Sequence, residues 1–534
     1  MPRSLILGSG PAAAAVAIAL SEDPTQDIRV IDVGSRLEPA LAAATERLAA
    51  ADPARWSARD VADIATLPAT TPLQGLPQKR SLGSDFPFRD FGQLAGVRAE
   101  GDVNDALVSG AFGGFSTVWG SQIMPFSEAA FRDWPLRRDD LEPHYRAVLS
   151  HIPYAGTEDD LAGKFPLFGR PKPLPSLAPR TRMTLDAYDR RQDRVKANGV
   201  TVGLARLALQ SGGCVRCGLC MTGCPYGLIY SAGQTIDSLV TSGRLSYLPG
   251  LLAVRVGEVP EHAGEGAYVE AQELATGRIE RFLADRVFVA CGAVGSTRVA
   301  INSLRRYDTT VELAESAQFL MPALSRRPTS DPRKAEELTL NQFNVVIDDD
   351  CLPDVSQVHF YPYNDAIFAA LPAILRKRFA APATTALLRR LSIGLGYLPS
   401  ASSPRLRLAV RAPKHAAALP EVTVTGEQLG RHDSPAFDAV ARRLLRVSRD
   451  LDLTPLLPLV EFSAPGKSYH WGGTFPHRAN GEQAWNSTDL LGRPARWSRI
   501  HLVDGAVFPS VAATTFTLTV MANAHRIATE AMAL

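Results

Sequence analysis

The sequence lacks a charge excess of either sign: 57 Lys and Arg stand against 55 Asp and Glu, a formal net charge of +2 over 534 residues. Such a balance creates no global field of the kind that gathers nucleic acid, so no nucleic-acid partner is expected. Also missing is any run of roughly eighteen apolar residues, which argues against a membrane-spanning helix. An apolar strand is expected from Ser4, too early for a charged segment, an apolar stretch and a cleavage site, and cytoplasmic residence is therefore expected. Repeats and low-complexity segments are absent as well. Cysteine is scarce, six residues in all, yet four of them fall within residues 214–224. In a reducing compartment that crowding reads as metal binding before disulfides. A chain of this length is expected to form two domains and can bury a large cofactor.

What is present begins with SLILGSGPAAAAVAIALSEDPTQDIRVIDVG at residues 4–34: an apolar strand, a Gly turn, an Ala-rich helix and a second apolar strand ending in an acid. This is the pattern of a βαβ dinucleotide site. Gly8 permits the tight turn, Gly10 lets the backbone approach a pyrophosphate, Ala13 takes the close-packing position, and Asp32 falls where a carboxylate holds a ribose. The fingerprint alone leaves NAD and FAD open. Further on, Gly113, Gly114 and Gly120 would let backbone lie flat against a bulky ligand where a Cβ would clash.

The four crowded cysteines, Cys214, Cys217, Cys220 and Cys224, are followed by Pro225 and read C-x2-C-x2-C-x3-C-P, the bacterial ferredoxin spacing. An iron–sulfur cluster is expected, [4Fe-4S] or, if Cys224 stands aside, a [3Fe-4S] form or one completed by Cys291 or Cys351. Structural zinc and unmetallated thiols are the alternatives, zinc being disfavoured because its knuckles usually separate two C-x2-C pairs by a dozen or more residues.

Near the C-terminus, His470 precedes a Gly-Gly-Thr turn, an apolar strand ends in Asp504-Gly505, and an amphipathic helix is expected to start near Thr515. A helix start offers free N–H groups and a positive dipole end, suited to the carbonyl edge of a reduced flavin. His470 has the chemistry of a base titrating near neutrality, with His477 as a weaker rival. Thr515 or Thr517 would orient a substrate hydroxyl but cannot serve as a base at neutral pH.

These segments together resemble the glucose-methanol-choline (GMC) oxidoreductases, a family of FAD-dependent alcohol oxidases and dehydrogenases. The resemblance rests on the N-terminal fingerprint, the Gly113-Gly114 to Gly120 stretch with DWPLRRDDLEPHY after it, CGAVGSTR at 291–298, and the His470 and Asp504-Gly505 segments. It implies FAD as the cofactor, His470 as the general base beside the flavin, and an α/β Rossmann-like FAD-binding domain joined to a substrate domain of mostly antiparallel sheet and helices, the architecture also of p-hydroxybenzoate hydroxylase. The family's usual second His or Asn has no counterpart, since its position falls on Thr515.

The domains are expected at 1–314, with an iron–sulfur insertion near 211–232, at 315–464 for the substrate side, and at 465–534 for the return to the FAD-binding part. Residues 36–80 carry no chemistry. Pro-rich residues 160–180 read as a semi-rigid strap over the site entrance, and a single helix is expected from Thr181 to Asn198. Six alternating segments between 315 and 425 are expected to form one antiparallel sheet, with a helical insertion at 366–391 whose basic clusters Arg376-Lys377-Arg378 and Arg389-Arg390 suit an ordinary surface, a membrane surface or an acidic carrier. A helix at 434–450 follows.

The expected function is FAD-dependent oxidation of an alcohol, on a sugar or polyol-like substrate by analogy with the family, with electrons leaving through the cluster to a one-electron acceptor protein or a quinone. Two rivals stay open: an oxidase using oxygen with a structural cysteine loop, and a flavin and iron–sulfur relay with no organic substrate.

Overall fold

The computed structural model describes residues 2–66, 78–89, 95–259, 266–370, 377, 381–414, 419–479 and 484–534. Its nucleotide-binding layer is a five-stranded parallel sheet in the order Ile500–Leu502, Arg286–Val289, Arg3–Leu7, Asp27–Ile31, Ser246–Leu248. Central parallel strands are covered on both faces, and this explains the unbroken apolar run at residues 5–7, all fully buried. The helix Pro11–Ser21 starts with proline at its first turn, where no N–H is missed, and is buried from Ala12 to Leu20. Its alanines give it no bulk, so the long C-terminal helix Thr517–Met532, itself buried over most of its length, packs directly against it.

An antiparallel sheet of seven strands forms the other large layer. Its path is Thr454–Pro455, Gln318–Leu324, Leu391–Tyr397, Ser356–Tyr361, Phe343–Ile347, Val200–Leu204, with Glu461–Phe462 also on Gln318–Leu324. Gly394 and Gly396 weaken a strand in principle, but here they leave room for rings. A Cβ at Gly394 would sit 2.6 Å from Val358 and 3.1 Å from Phe360, and one at Gly396 would collide with the Phe319 ring. The amphipathic helix Pro435–Leu451, capped by Ser434 Oγ accepting from Phe437 N at 3.1 Å, buries Phe437, Val440, Leu444 and Val447 over this sheet. Burial contributes about 1.5–3 kcal/mol for each such large side chain.

The structure departs from the sequence reading in three places. Of the six alternating segments only four join the large sheet. Leu406–Arg411 instead pairs with Thr309–Glu315, which carries Trp471–Gly472 on its other edge, and Glu421–Thr425 pairs with Leu406–Arg411. Strand periodicity reports which face is buried but not which neighbour pairs. The single helix expected from Thr181 is two, Pro179–Asp189 and Gln192–Ala197, interrupted at Arg190 and Arg191. The strap at 160–180 does not line the cavity described below; Leu161 and Phe165 are instead buried with Met124, Val346 and Val355.

Within 366–391, helices Asp365–Ala370 and Ala381–Leu388 are described, while Arg376 and Arg378 lie outside the described residues. Arg389 Nε donates to Thr329 O at 2.5 Å and Arg390 to Arg326 O, so this basic pair serves the fold locally. Among the described residues no helix is long and apolar enough to cross a membrane.

Candidate active site

One cavity of about 400 Å³ runs from the first βα turn to the antiparallel sheet and is lined by residues of the βαβ fingerprint, the Gly114 to Gly120 stretch, the cysteine loop, the 291–298 segment and the His470, Asp504 and Thr515 segments. At one end lie Gly8, Gly10 and Asp32. Gly8 has φ +97°, and a Cβ there would stand 2.7 Å from Ala290 O, so the turn admits only glycine. Around Gly10, in contrast, a Cβ would meet nothing within 4 Å: the space in front of the helix N-terminus is open. Ala13 is fully buried in the helix behind it. Asp32 accepts from Ser9 Oγ at 2.5 Å and Tyr247 OH at 2.9 Å. Burial nevertheless raises its carboxyl to about 6.

The paired glycines close this end from above. Gly113 (φ +95°) donates its N–H to Ser9 Oγ at 2.8 Å, and a Cβ on Gly114 would lie 3.3 Å from Gly10 Cα. Gly120 approaches the other layer, 3.1 Å from Tyr361 OH by the same measure. Asp504 accepts from Ser296 Oγ at 2.5 Å and Ala506 N at 3.0 Å, and burial raises it to about 6. Gly505 sits where a Cβ would come 2.9 Å from Trp471 O, which keeps the Asp504 turn against the His470 segment. Thr515 Oγ1 is buried without a partner among the described residues, and Thr517 opens the C-terminal helix two residues later than expected. Both threonines line the cavity.

His470 lies in the same cavity, on a segment fixed at both ends. Glu315 accepts from Gly466 N at 2.9 Å and Ser468 Oγ at 2.7 Å, Ser468 Oγ in turn accepts from His470 N at 3.1 Å, and Ser316 N donates to His470 O at 3.0 Å. The imidazole stacks on Tyr397 at 4.9 Å between centroids and 24° between planes, and Phe516 closes in at 5.2 Å. The Tyr397 hydroxyl accepts from Gln318 Nε2 at 2.9 Å, which locks the stacking ring. His470 Nδ1 is buried without a partner among the described residues, and desolvation lowers the ring to about 4. A neutral imidazole with an unused lone pair is competent to take a proton.

The rival, His477, is fully buried and satisfied on both nitrogens, by Asp489 O at 2.7 Å and Asn523 Nδ2 at 3.1 Å. Its surroundings are those of a structural residue.

The four cysteines of the 214–224 loop are free thiols. Cys217 feels the charges of Cys214, Cys220 and Cys224, and burial, the larger effect, drives it to about 11. The loop turns on left-handed residues at Arg216, Gly218 and Gly223. It touches the cavity: Met221 is part of the lining, as is the half-buried Lys79, whose ammonium donates to Trp119 O at 2.8 Å and lies within electrostatic reach of Cys220. Among the described residues, these four cysteines included, no three His, Cys, Asp or Glu side chains come together as a group that could hold a metal ion, so the expected iron–sulfur ligand set is not assembled. Cys291 is set apart, lining the dinucleotide end with Sγ 3.6 Å from Leu7 O, and Cys351 is exposed.

Pyridoxine 4-oxidase from Mesorbium loti superposes over 99% of this chain and 99% of its own, with a TM-score of 0.59 and 15% identity. Formate oxidase of Aspergillus oryzae RIB40, studied for its FAD modification, covers 100% of this chain and 98% of its own, at 0.60 and 14%. The fold of this chain is the fold of those two oxidases. No family profile matches the sequence, and no curated protein sequence does.

Several cavity residues carried no sequence signal. His359, Tyr361 and Tyr397 sit in alternating strands, where every second residue faces inward and nothing distinguishes a cavity face from a packed one. Glu315 and Gln318 act through hydrogen bonds made far along the chain.

Proposed function

We propose that this chain is a GMC-type, FAD-dependent dehydrogenase that oxidises an alcohol carbon. The carrying observation is one cavity joining an open dinucleotide cradle to His470, whose buried Nδ1 has no partner among the described residues. The residues fit FAD. Gly8, Gly10 and the N-terminus of Pro11–Ser21 would take the pyrophosphate, Asp32 the ribose, and the Gly113-Gly114 turn, Asp504-Gly505 and the start of Thr517–Met532 the ring system. Bound FAD supplies a two-electron acceptor for hydride. The protein then binds and orients the alcohol, His470 accepts its hydroxyl proton, and the Thr515 hydroxyl is available to the substrate oxygen. Both fold neighbours are named as oxidases, and the acceptor is where this chain parts from them.

The same reading assigns an iron–sulfur cluster to Cys214, Cys217, Cys220 and Cys224 as the electron outlet. What supports it is the spacing of four free thiols within residues 214–224, on a loop that reaches the cavity at Met221. Its partner would be a one-electron acceptor protein or a quinone, and its substrate sugar or polyol-like.

The test is anaerobic purification with flavin, iron and sulfide quantified, followed by mixing with benzyl alcohol, glycerol and glucose. Flavin bleached by an alcohol supports the enzyme; flavin with iron that no alcohol reduces would favour the relay; flavin without iron, reoxidised by oxygen, would favour the oxidase.

A further inference from the structure

His470 is not the only imidazole on this cavity. His359, on the strand Ser356–Tyr361, is 1% exposed, lines the cavity, and has a buried Nε2 without a partner among the described residues. Buried polar groups are hydrogen-bonded in the great majority of cases, and an unpaired one is costly, so an orphan nitrogen on a cavity wall points to a ligand. His359 and His470 pack against the same ring: Tyr397 lies 5.0 Å from the one and 4.9 Å from the other, centroid to centroid. They are near enough for the charge of His470 to oppose protonation of His359.

We propose that His359 is a specificity-determining residue that hydrogen-bonds a second oxygen of the substrate while His470 engages the reacting hydroxyl. Both imidazoles lie about 5 Å from one phenol ring, which suits two oxygens on a short carbon frame, of which a vicinal diol is the simplest case. The second oxygen is uncharged. Gln318, Tyr361, Ile393, Leu395 and Tyr397, the other cavity residues of this sheet, carry no charge that would offset a carboxylate or phosphate. Because burial and His470 hold His359 neutral, one ring nitrogen can donate and the other accept, which matches the dual character of a hydroxyl. No bond to His359 forms or breaks. The proton released on oxidation goes to His470, and the hydride to the acceptor of the proposed function, on which this assignment rests.

The experiment compares trans-cyclohexane-1,2-diol with cyclohexanol, which differ by the oxygen in question. Binding is read by ligand-observed NMR, which needs no flavin signal, and flavin bleaching is read on the same preparations. The protein as purified should bind the diol about ten- to a hundredfold more tightly, the discrimination expected when a buried hydrogen-bonding group is left unpaired. His359→Leu should bring that ratio close to one, and His359→Gln, which keeps a hydrogen-bonding amide, should recover part of it. If His359→Leu does not fold, the comparison in the unaltered protein and in His359→Gln still decides. Equal or absent binding of the two compounds by the unaltered protein, or a ratio untouched by both substitutions, overturns the assignment. A protein that prefers the diol but carries no flavin would instead reject the proposed function and leave the role of His359 standing.

Discussion

Asn523 donates to His477 Nε2 at 3.1 Å, and the other nitrogen of that ring meets Asp489 O at 2.7 Å, so the imidazole has no lone pair left for a substrate. Seven residues earlier the opposite holds: His470 Nδ1 has no partner among the described residues. His470→Gln should therefore retain FAD and lose turnover by roughly two to four orders of magnitude, the span typical of a general base. His477→Gln should keep most of its turnover per bound flavin but lose about 1–3 kcal/mol of stability through a broken buried network. Stopped-flow bleaching and thermal melts separate the two effects. The reverse ordering would move the base to His477.

Glu315 gives a pH signature. Burial raises its carboxyl from 4.5 to about 7, against the stabilising donors Gly466 N and Ser468 Oγ. Its folded value thus lies above its unfolded one, and the protonated form is favoured by folding. Ionising it costs up to roughly 3 kcal/mol, a cost absent below about pH 4.5 and complete above about pH 7. Glu315→Gln cannot ionise. The melting temperature of the variant relative to the unaltered protein should rise between pH 5 and pH 8, and a flat difference would show that the carboxyl titrates normally.

Gly8 tests the cradle. Any side chain there meets Ala290 O, a backbone atom that cannot rotate away, at a φ of +97° that other residues rarely adopt. Gly8→Ala should lower flavin content sharply, by more than Gly10→Ala, whose Cβ meets no protein atom within 4 Å and would intrude only on the bound cofactor. Flavin absorbance per protein checks the ranking at low cofactor concentration, where both variants should fall below the unaltered protein.

Serine at Cys217 or Cys220 should remove iron and slow turnover with a one-electron acceptor, while an alcohol still bleaches the flavin in a single turnover. Full activity of these variants with every acceptor would make the loop structural and favour the oxidase.

Sequence legibility followed sequence locality. The βαβ unit was readable because strand, turn, helix and acid lie within residues 4–34 and every one has its own chemical requirement. The cysteine spacing is equally local, but the metal group expected from it is not assembled among the described residues. The division of the antiparallel strands into two sheets was not readable, since Leu406–Arg411 and Glu421–Thr425 alternate as their neighbours do, and it is Thr309–Glu315, about a hundred residues earlier, that pairs with Leu406–Arg411 and so draws both away from the large sheet. His359 was illegible too: between Val358 and Phe360 it looks like a strand position, and only the fold reveals that its face meets a cavity.

The pairing of the Ala-rich helix Pro11–Ser21 with Thr517–Met532 sets a condition on synthesis. The first helix is synthesised about five hundred residues before the helix that covers it. Until then its smooth alanine face stays open to water and to other nascent chains, which is a hazard for a protein with so many contacts distant in sequence. A chaperone-depleted host, or a C-terminal deletion reaching into residues 517–532, should send this protein to aggregates before it affects chemistry of any kind.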